Sequence, residues 1–393
     1  MGALTLTSLI PSIQQAMDTV SREQVGFIPA VARDSSAERA AVGQVVVSPV
    51  VGPMAAEPLT AAAYAADTPA QTINNVQMQI TKARSVPFGI TGEETLGLRN
   101  AGTLGSINQQ RIEQAFRTLT NEVETDLAAL HIYASRAYGT ATGTPFNTAS
   151  DFSDFASCLK VLDENGAPMS DRQLVLGSAS IARIRGKQST LFSLNTGGAL
   201  AEDLLRRGAI ANVEGFDIHQ SQAVPTLVAV GTNNGSATTT AAGFAVGTTN
   251  IPTAAAGTGS IIAGDIITFA GDTNEYLVVT GVASVASSSV LLTIAEPGLR
   301  QAIAASATVI TTVAATTRNC FFHRSAIQLA TRAPAMPEGG DSADDVMTQT
   351  DPVSGITYEF AVYKQKRQVR YEINLAWGVK VIAPRHFGLL IGA

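Results

Sequence analysis

Few residues in this chain have the types and spacing that chemistry needs. His131, His219, His323 and His386 are widely separated, and none has a metal-type partner two to four positions on. Cys158 and Cys320 are too few for a disulfide scaffold, and each sits among apolar neighbours. Both read as buried thiols of a reducing compartment. There is no G-x-S-x-G and no cysteine paired with a nearby histidine, and NTGGAL (195–200) lacks the Lys-Ser/Thr of a phosphate loop. Glu93 and Glu94 could form an acid/base pair, but no pocket-forming partner lies near them in sequence. Solvation, or pairing with Lys82, Arg84 or a neighbour's arginine, is the plainer reading. Asp341, Asp344 and Asp345 in EGGDSADD (338–345) could hold a hard cation, yet the spacing is not an EF-hand and the glycines precede the acids. Aromatic and basic residues do not interleave as a nucleic-acid platform requires. No catalytic residue, no metal site and no cofactor is expected, so function should lie in surfaces.

The bulk composition agrees. At 393 residues there is material for two or three domains and a large core. Hydrophobic residues make up 45% and charged residues only 15%, below the usual quarter or so, which suits a surface covered by partners. Net charge is −6 and the pI about 5.3, which argues against tight nucleic-acid binding by a basic face. The N-terminus lacks the pattern of a signal peptide, and no run approaches the ~20 apolar residues of a membrane helix. Leu6 stands where myristoylation would want Ser or Thr. A soluble protein made in the cytoplasm is expected, with no membrane partner.

The elements must therefore be read for what they present. Residues 106–138 are the stretch around which the rest is organised. Ile112, Phe116, Leu119, Val123, Leu127, Leu130 and Ala134 alternate steps of four and three, which predicts one apolar helical stripe. Ser106 with Gln109 suggests a capping box, Gly139 a C-terminal stop, and Glu113–Arg117 an i,i+4 pair. At ~1.5 Å per residue the rod would be about 48 Å long. A spine under a flat domain is expected; a coiled coil is the alternative.

Ahead of the spine, residues 1–33 read as an arm, with Leu9, Ile13 and Met17 on a short amphipathic helix that must lie on something else. GQVVVSPVV (43–51) and NVQMQITKA (75–83) suit an antiparallel pair of strands, with Val76, Met78 and Ile80 alternating against Gln77, Gln79 and Thr81. Between them Gly52–Asn74 carries Pro53, Pro58 and Pro69, many alanines and no lysine or arginine. So long and apolar a connection is unusual, and an isolated two-stranded ribbon is marginal in water. Both difficulties vanish if the hairpin extends over a neighbouring copy.

After the spine, residues 151–164 read as a helix with Phe152, Phe155, Leu159 and Leu162 inward and Asn165-Gly166 as its stop. QLVLG (173–177) reads as a buried strand, with helical segments near 179–187 and 199–207, so a second α/β lobe is expected. From Gln220 to Thr316 the only charged residues are Asp265, Asp272, Glu275, Glu296 and Arg300, and short strands recur. This predicts an inserted all-β module, a small barrel or sandwich without exposed edges. Finally ITYEFAVY (356–363) and QVRYEINLAW (368–377) alternate about a basic KQKR tip, and GVKVIAPRHFGLLI should complete a C-terminal β-rich edge near the spine.

This order resembles the major capsid (coat) proteins of tailed bacteriophages, the HK-97-type fold, in the branch with an inserted β-barrel domain. The residues carrying the resemblance are QITKARSVPFGITGEE before the spine, VEGFD with AVPTL entering the insertion, and GDIITFAG and LLTIAEPGL within it. RNCFFHRSAIQLATRAP and EINLAWGVKVIAPRHFGLLI follow. The resemblance implies an α+β fold divided into an N-terminal arm (1–33), an extended β-hairpin loop (34–95), and a spine helix with peripheral domain (96–139). Next come the first part of an axial domain (140–224), the inserted β-barrel (225–316), the axial return (317–350) and C-terminal strands (351–393). It also implies a non-enzymatic shell subunit that self-assembles into pentameric and hexameric capsomers of an icosahedral virion in the bacterial host cytoplasm. Scaffolding protein and portal would take part in assembly, a decoration protein could bind, and packaged DNA would be touched weakly and non-specifically. Candidate contacts between subunits are Lys82, Arg84, Glu93, Glu94, Pro53, Pro58 and Tyr64. Lys82 sits in the kind of loop that some such shells crosslink, but this branch is not the crosslinking one. An encapsulin-like nanocompartment shell and a β-rich virion binding or adhesin module are the alternatives.

Overall fold

The computed structural model describes residues 11–17, 26–51, 73–102, 104–148, 151–186, 212–233, 235–286, 290–351 and 354–393. The chain enters as α1 (11–17), then α2 (Phe27–Ala30) and β1 (Ala32–Ala40). β2 (Val45–Val51) and β3 (Ile73–Gln79) follow, then β4 (Lys82–Thr91), α3 (Gly92–Asn100) and the long α4 (Leu104–Ala129). A lobe of β5 (Arg136–Gly139), α5 (Ser153–Glu164), β6 (Arg172–Leu176), α6 (Ser178–Gly186), β7 (Asn212–Val213) and β8 (Phe216–Gln220) comes next. Six short strands succeed it: β9 (Ala237–Thr238), β10 (Asn250–Pro252), β11 (Ile266–Phe269), β12 (Glu275–Thr280), β13 (Leu291–Ile294) and β14 (Val309–Thr312). The chain ends with β15 (Thr317–His323), β16 (Ile327–Pro334), β17 (Asp345–Thr350), β18 (Thr357–Gln365), β19 (Gln368–Val381) and β20 (Phe387–Gly392). Among the described residues no helix is long and apolar enough to cross a membrane.

All seven residues of the predicted stripe, from Ile112 to Ala134, are buried. The rod itself is shorter than the stripe. α4 has 26 residues, about 39 Å at ~1.5 Å per residue, and gives way to a 3-10 turn at Leu130–Tyr133 and then to β5. Leu130 and Ala134 stay buried because the core continues beneath them, whatever the backbone does. Gly139 ends a strand rather than the helix. The helix also starts two residues before Ser106, so the expected cap lies inside it, and Glu113 accepts from Gln109 Nε2 at 3.1 Å.

α4 lies on a six-stranded sheet in which β19 pairs with β4, β18 and β16, with β17 beside β18 and β1 parallel to β16. Phe116 meets Tyr358 and Phe360 edge to face, ring centroids 4.9 and 5.6 Å apart. Ile356, Tyr358, Phe360, Val362, Tyr371, Ile373, Leu375 and Trp377 fill the same core, as their alternation predicts. Ile13, Met17, Phe27 and Ile28 join it, so the described arm residues rest on their own subunit; Leu9 lies outside the described residues. β1 and β4, placed within the extended loop from sequence, are strands of this sheet. The hairpin proper is β2–β3.

The second sheet runs β7-β8-β6-β15-β20-β5 and continues through β12. β20 is flanked by β15 and β5, so the C-terminal strand is internal rather than the edge expected of it. Phe155 and Leu162 of α5 are buried on this lobe, with Phe152 and Leu159 packed against them. The segment near 199–207 and NTGGAL lie outside the described residues. Beyond β5 the sheet rolls up: β12 pairs with β11, β11 with β14, β14 with β9, and β13 with both β12 and β10. The ring closes between β9 and β10 through Thr240 N–H to Pro252 O and Ala254 N–H to Thr238 O. Ile251, Ile267, Phe269, Tyr276, Leu292 and Ile310 share its interior. This small barrel is not free-standing, because β12 pairs with β5 at Glu275↔Ala137 and Tyr276↔Arg136.

Candidate assembly surface

The hairpin β2–β3 forms a two-stranded sheet of its own, in register from Val45↔Gln79 to Val51↔Ile73. Its base is fixed. Met78 and Ile80 are buried with Ala40, Ala330 and Ala376, and Val46 packs against them. Gly378 of β19 lets the ribbon cross closely, since a Cβ there would lie 2.0 Å from the Gln79 carbonyl oxygen. Lys380 Nζ donates to Gln77 O at 2.7 Å. The other face is open: Val45 is 38% exposed and Val47 52%, with Val42 before them at 59%. Alternation along a strand sets these two faces.

The two cations expected to reach a neighbour are engaged at home. Lys82 Nζ lies 2.7 Å from Asp126 Oδ1 and 3.5 Å from Glu122 Oε1, and 5.9 Å from the centroid of the Trp377 ring. The Trp377 indole N–H donates to Asp126 Oδ2 at 2.9 Å, so one carboxylate joins the lysine and the buried tryptophan. The hydrogen bond that Lys82 donates to Asp126 holds the Lys82 pKa above its ordinary value. Arg84 Nε pairs with Glu122 at 3.1 Å. These pairs seat β4 on α4, with Glu122 and Asp126 in the place where Glu93 and Glu94 were offered as partners from sequence. Glu94 instead closes a capping box with Thr91 at the start of α3, and Glu93 stands exposed beside it. Pro53, Pro58 and Tyr64 lie outside the described residues.

Sequence reasoning missed Glu124. Its side chain is buried on α4 and accepts the Phe27 amide at 2.9 Å, the Ile28 amide at 2.8 Å and the Ser221 hydroxyl at 2.8 Å. Burial raises its pKa while these donors oppose the rise. One carboxylate thus ties the arm, the spine and the turn after β8 together. The acid flanks the apolar stripe between Val123 and Leu127, which is the only sign of it in the sequence.

The residues scanned for chemistry have local partners. Cys158 and Cys320 are buried, and desolvation pushes both thiols up. His131 Nδ1 lies 3.0 Å from Ala128 O. His323 and His386, remote in sequence, meet edge to face at 6.4 Å. Asp344 pairs with Lys364 at 3.4 Å and Asp341 accepts from the Tyr363 hydroxyl. Among the described residues no three of His, Cys, Asp and Glu gather as a metal would require.

No family model and no curated protein matches the chain. Solved structures do. It is similar over nearly its whole length to chains of phages and of a virus-like particle. A chain of Mycobacterium phage Che8 is 15% identical, with 88% of this chain and 84% of that one covered at a TM-score of 0.45. The capsid structure of cyanophage P-SCSP1u is 12% identical, with 94% and 89% covered and a TM-score of 0.45. A virus-like particle from Pyrococcus furiosus is 8% identical, with 97% and 98% covered and a TM-score of 0.44.

Proposed function

We propose that this chain is the major capsid protein of a tailed bacteriophage, one subunit of an icosahedral HK-97-type shell around packaged double-stranded DNA. The observation that carries this is the β2–β3 ribbon, which pairs only with itself among the described strands and leaves Val45 and Val47 uncovered. Two strands alone are marginal in water, and a neighbouring copy laid under that face would bury the valines. Weak contacts of this kind become a strong shell because each neighbour raises the effective concentration of the next. A charged fraction of 15% limits repulsion between copies, and the net charge of −6 keeps contact with packaged DNA weak.

On this reading α4 and its sheet form the peripheral domain, and the sheet running from β7 to β5 forms the axial domain. The barrel stabilises the subunit and projects outward. Copies group as pentameric and hexameric capsomers, assembled with scaffolding protein and portal in the bacterial cytoplasm, with a decoration protein as a later addition. The role is structural rather than enzymatic. Expression with and without a scaffolding protein, followed by size-exclusion chromatography and negative-stain microscopy, tests it. Closed particles are expected, and only monomers or small oligomers under both conditions would overturn the reading. Particles that close with protein cargo and never with DNA would make it a nanocompartment shell instead.

A further inference from the structure

Helix α3 buries none of its nine residues, and Leu96 is 60% exposed. So short a helix has little stability of its own, because helices in proteins are held mainly by packing an apolar face. Its start is fastened by the Thr91–Glu94 box and by the Gly92 amide donating to Arg367 O at 3.1 Å. That start and the β18–β19 turn wall a groove of about 700 Å³. Three cations line it, Lys364, Lys366 and Arg367, against the single carboxylate of Glu93.

An acidic loop adjoins the groove. Residues 338–344 carry Glu338, Asp341 and Asp344, all exposed. The loop is fixed to the turn by Asp344 N–H to Val362 O at 2.8 Å, by the Asp344–Lys364 pair and by the Tyr363 hydroxyl on Asp341. Unlike charges therefore stand side by side at one corner, and the described residues bury none of the helix beside them.

We propose that this corner is a contact between copies, in which the basic groove of one copy takes the acidic loop 338–344 of the next; the inference rests on the shell reading. Copies related by rotation about an axis through the corner present the groove of one to the loop of the next, a heterologous arrangement that closes as a ring. Charge complementarity of this kind sets register and partner choice, and salt weakens it. α3 is covered in the same contact.

The test uses the full chain in three variants: K364E/K366E reverses the groove, E338K/D344K reverses the loop, and the quadruple variant swaps both. All four side chains are exposed, so melting temperatures of the unassembled subunits should stay together. At low salt each half-reversal is expected to cut particle yield by about tenfold, and the swap to restore it. The swap also rebuilds the Asp344–Lys364 pair with its charges exchanged. An equimolar mixture of the two half-reversed chains should assemble where neither does alone. Half-reversed chains that close as well as the wild type overturn the contact and leave the shell reading standing, as does a swap that fails to restore assembly. A wild-type chain that never closes overturns both.

Discussion

Glu124 Oε2 accepts the amide of Phe27 from across 97 positions of sequence, at 2.9 Å and out of contact with water. With Ile28 on the other oxygen and Ser221 sharing the first, the carboxylate is the anchor that holds the arm to the spine. Replacing it by alanine leaves those buried donors unpaired, and each lost hydrogen bond to a charged group costs about 1.5–3 kcal/mol. Glu124→Ala is expected to lower stability by about 3 kcal/mol or more in urea unfolding. Hydrogen exchange at the Phe27 and Ile28 amides should speed up ahead of global unfolding. Glu124→Gln, which keeps one acceptor oxygen, should fall between.

Phe116 is 1% exposed and wedged between Tyr358 and Phe360. Phe116→Asp places a charge there with no partner, which costs about 3–5 kcal/mol. Urea or thermal melts check this directly. Unchanged melting would mean that the spine does not pack on the sheet through this face.

The spine stripe and the β18–β19 hairpin were legible in the sequence because burial imposes a period on each. The end of α4 was not, since Leu130 and Ala134 continue the stripe after the backbone has left the helix. Periodicity reports which residues face the core, and only indirectly the conformation that turns them there. The partners of Lys82 and Arg84 were hidden for a different reason. Glu122 and Asp126 stand four apart on α4, which puts them on one helical face, but nothing local says which strand will cross it. The link between β12 and β5 joins segments remote in sequence and leaves no local trace.

Gly378 sits where the hairpin crosses β19. A methyl group there would come 2.0 Å from Gln79 O and 3.1 Å from Ile80 Cα, so the ribbon must lift. Gly378→Ala is expected to cost about 1–3 kcal/mol, as overpacking does. It should also raise hydrogen exchange at the Val45–Val47 amides and reduce particle yield. Gly97→Ala is the control for stability and hydrogen exchange. A Cβ at Gly97 meets nothing within 4 Å, and alanine in a helix is favoured by up to about 1 kcal/mol.

Glu275 lies on β12 where the barrel meets β5, and its Oε2 is buried without a hydrogen-bond partner. The nearby Arg136 is occupied by Glu164 and Asn274, both at 2.6 Å. Burial raises the Glu275 pKa from 4.5 to about 7. The folded protein therefore holds this proton more tightly than the unfolded chain does. Its contribution to stability is fully present below about 4.5 and is lost as pH rises towards about 7. At ~1.4 kcal/mol per unit, the loss is on the order of 3–4 kcal/mol. Glu275→Gln keeps the shape and removes the charge, so at pH 8 it should be more stable than the wild type by roughly that amount. Unfolding measured from pH 4 to pH 8 should then lose most of its slope between those two pKa values. An unaltered slope would mean that the carboxylate reaches solvent or a cation at the junction, and that the barrel is not joined to the sheet as tightly as the β5–β12 register implies.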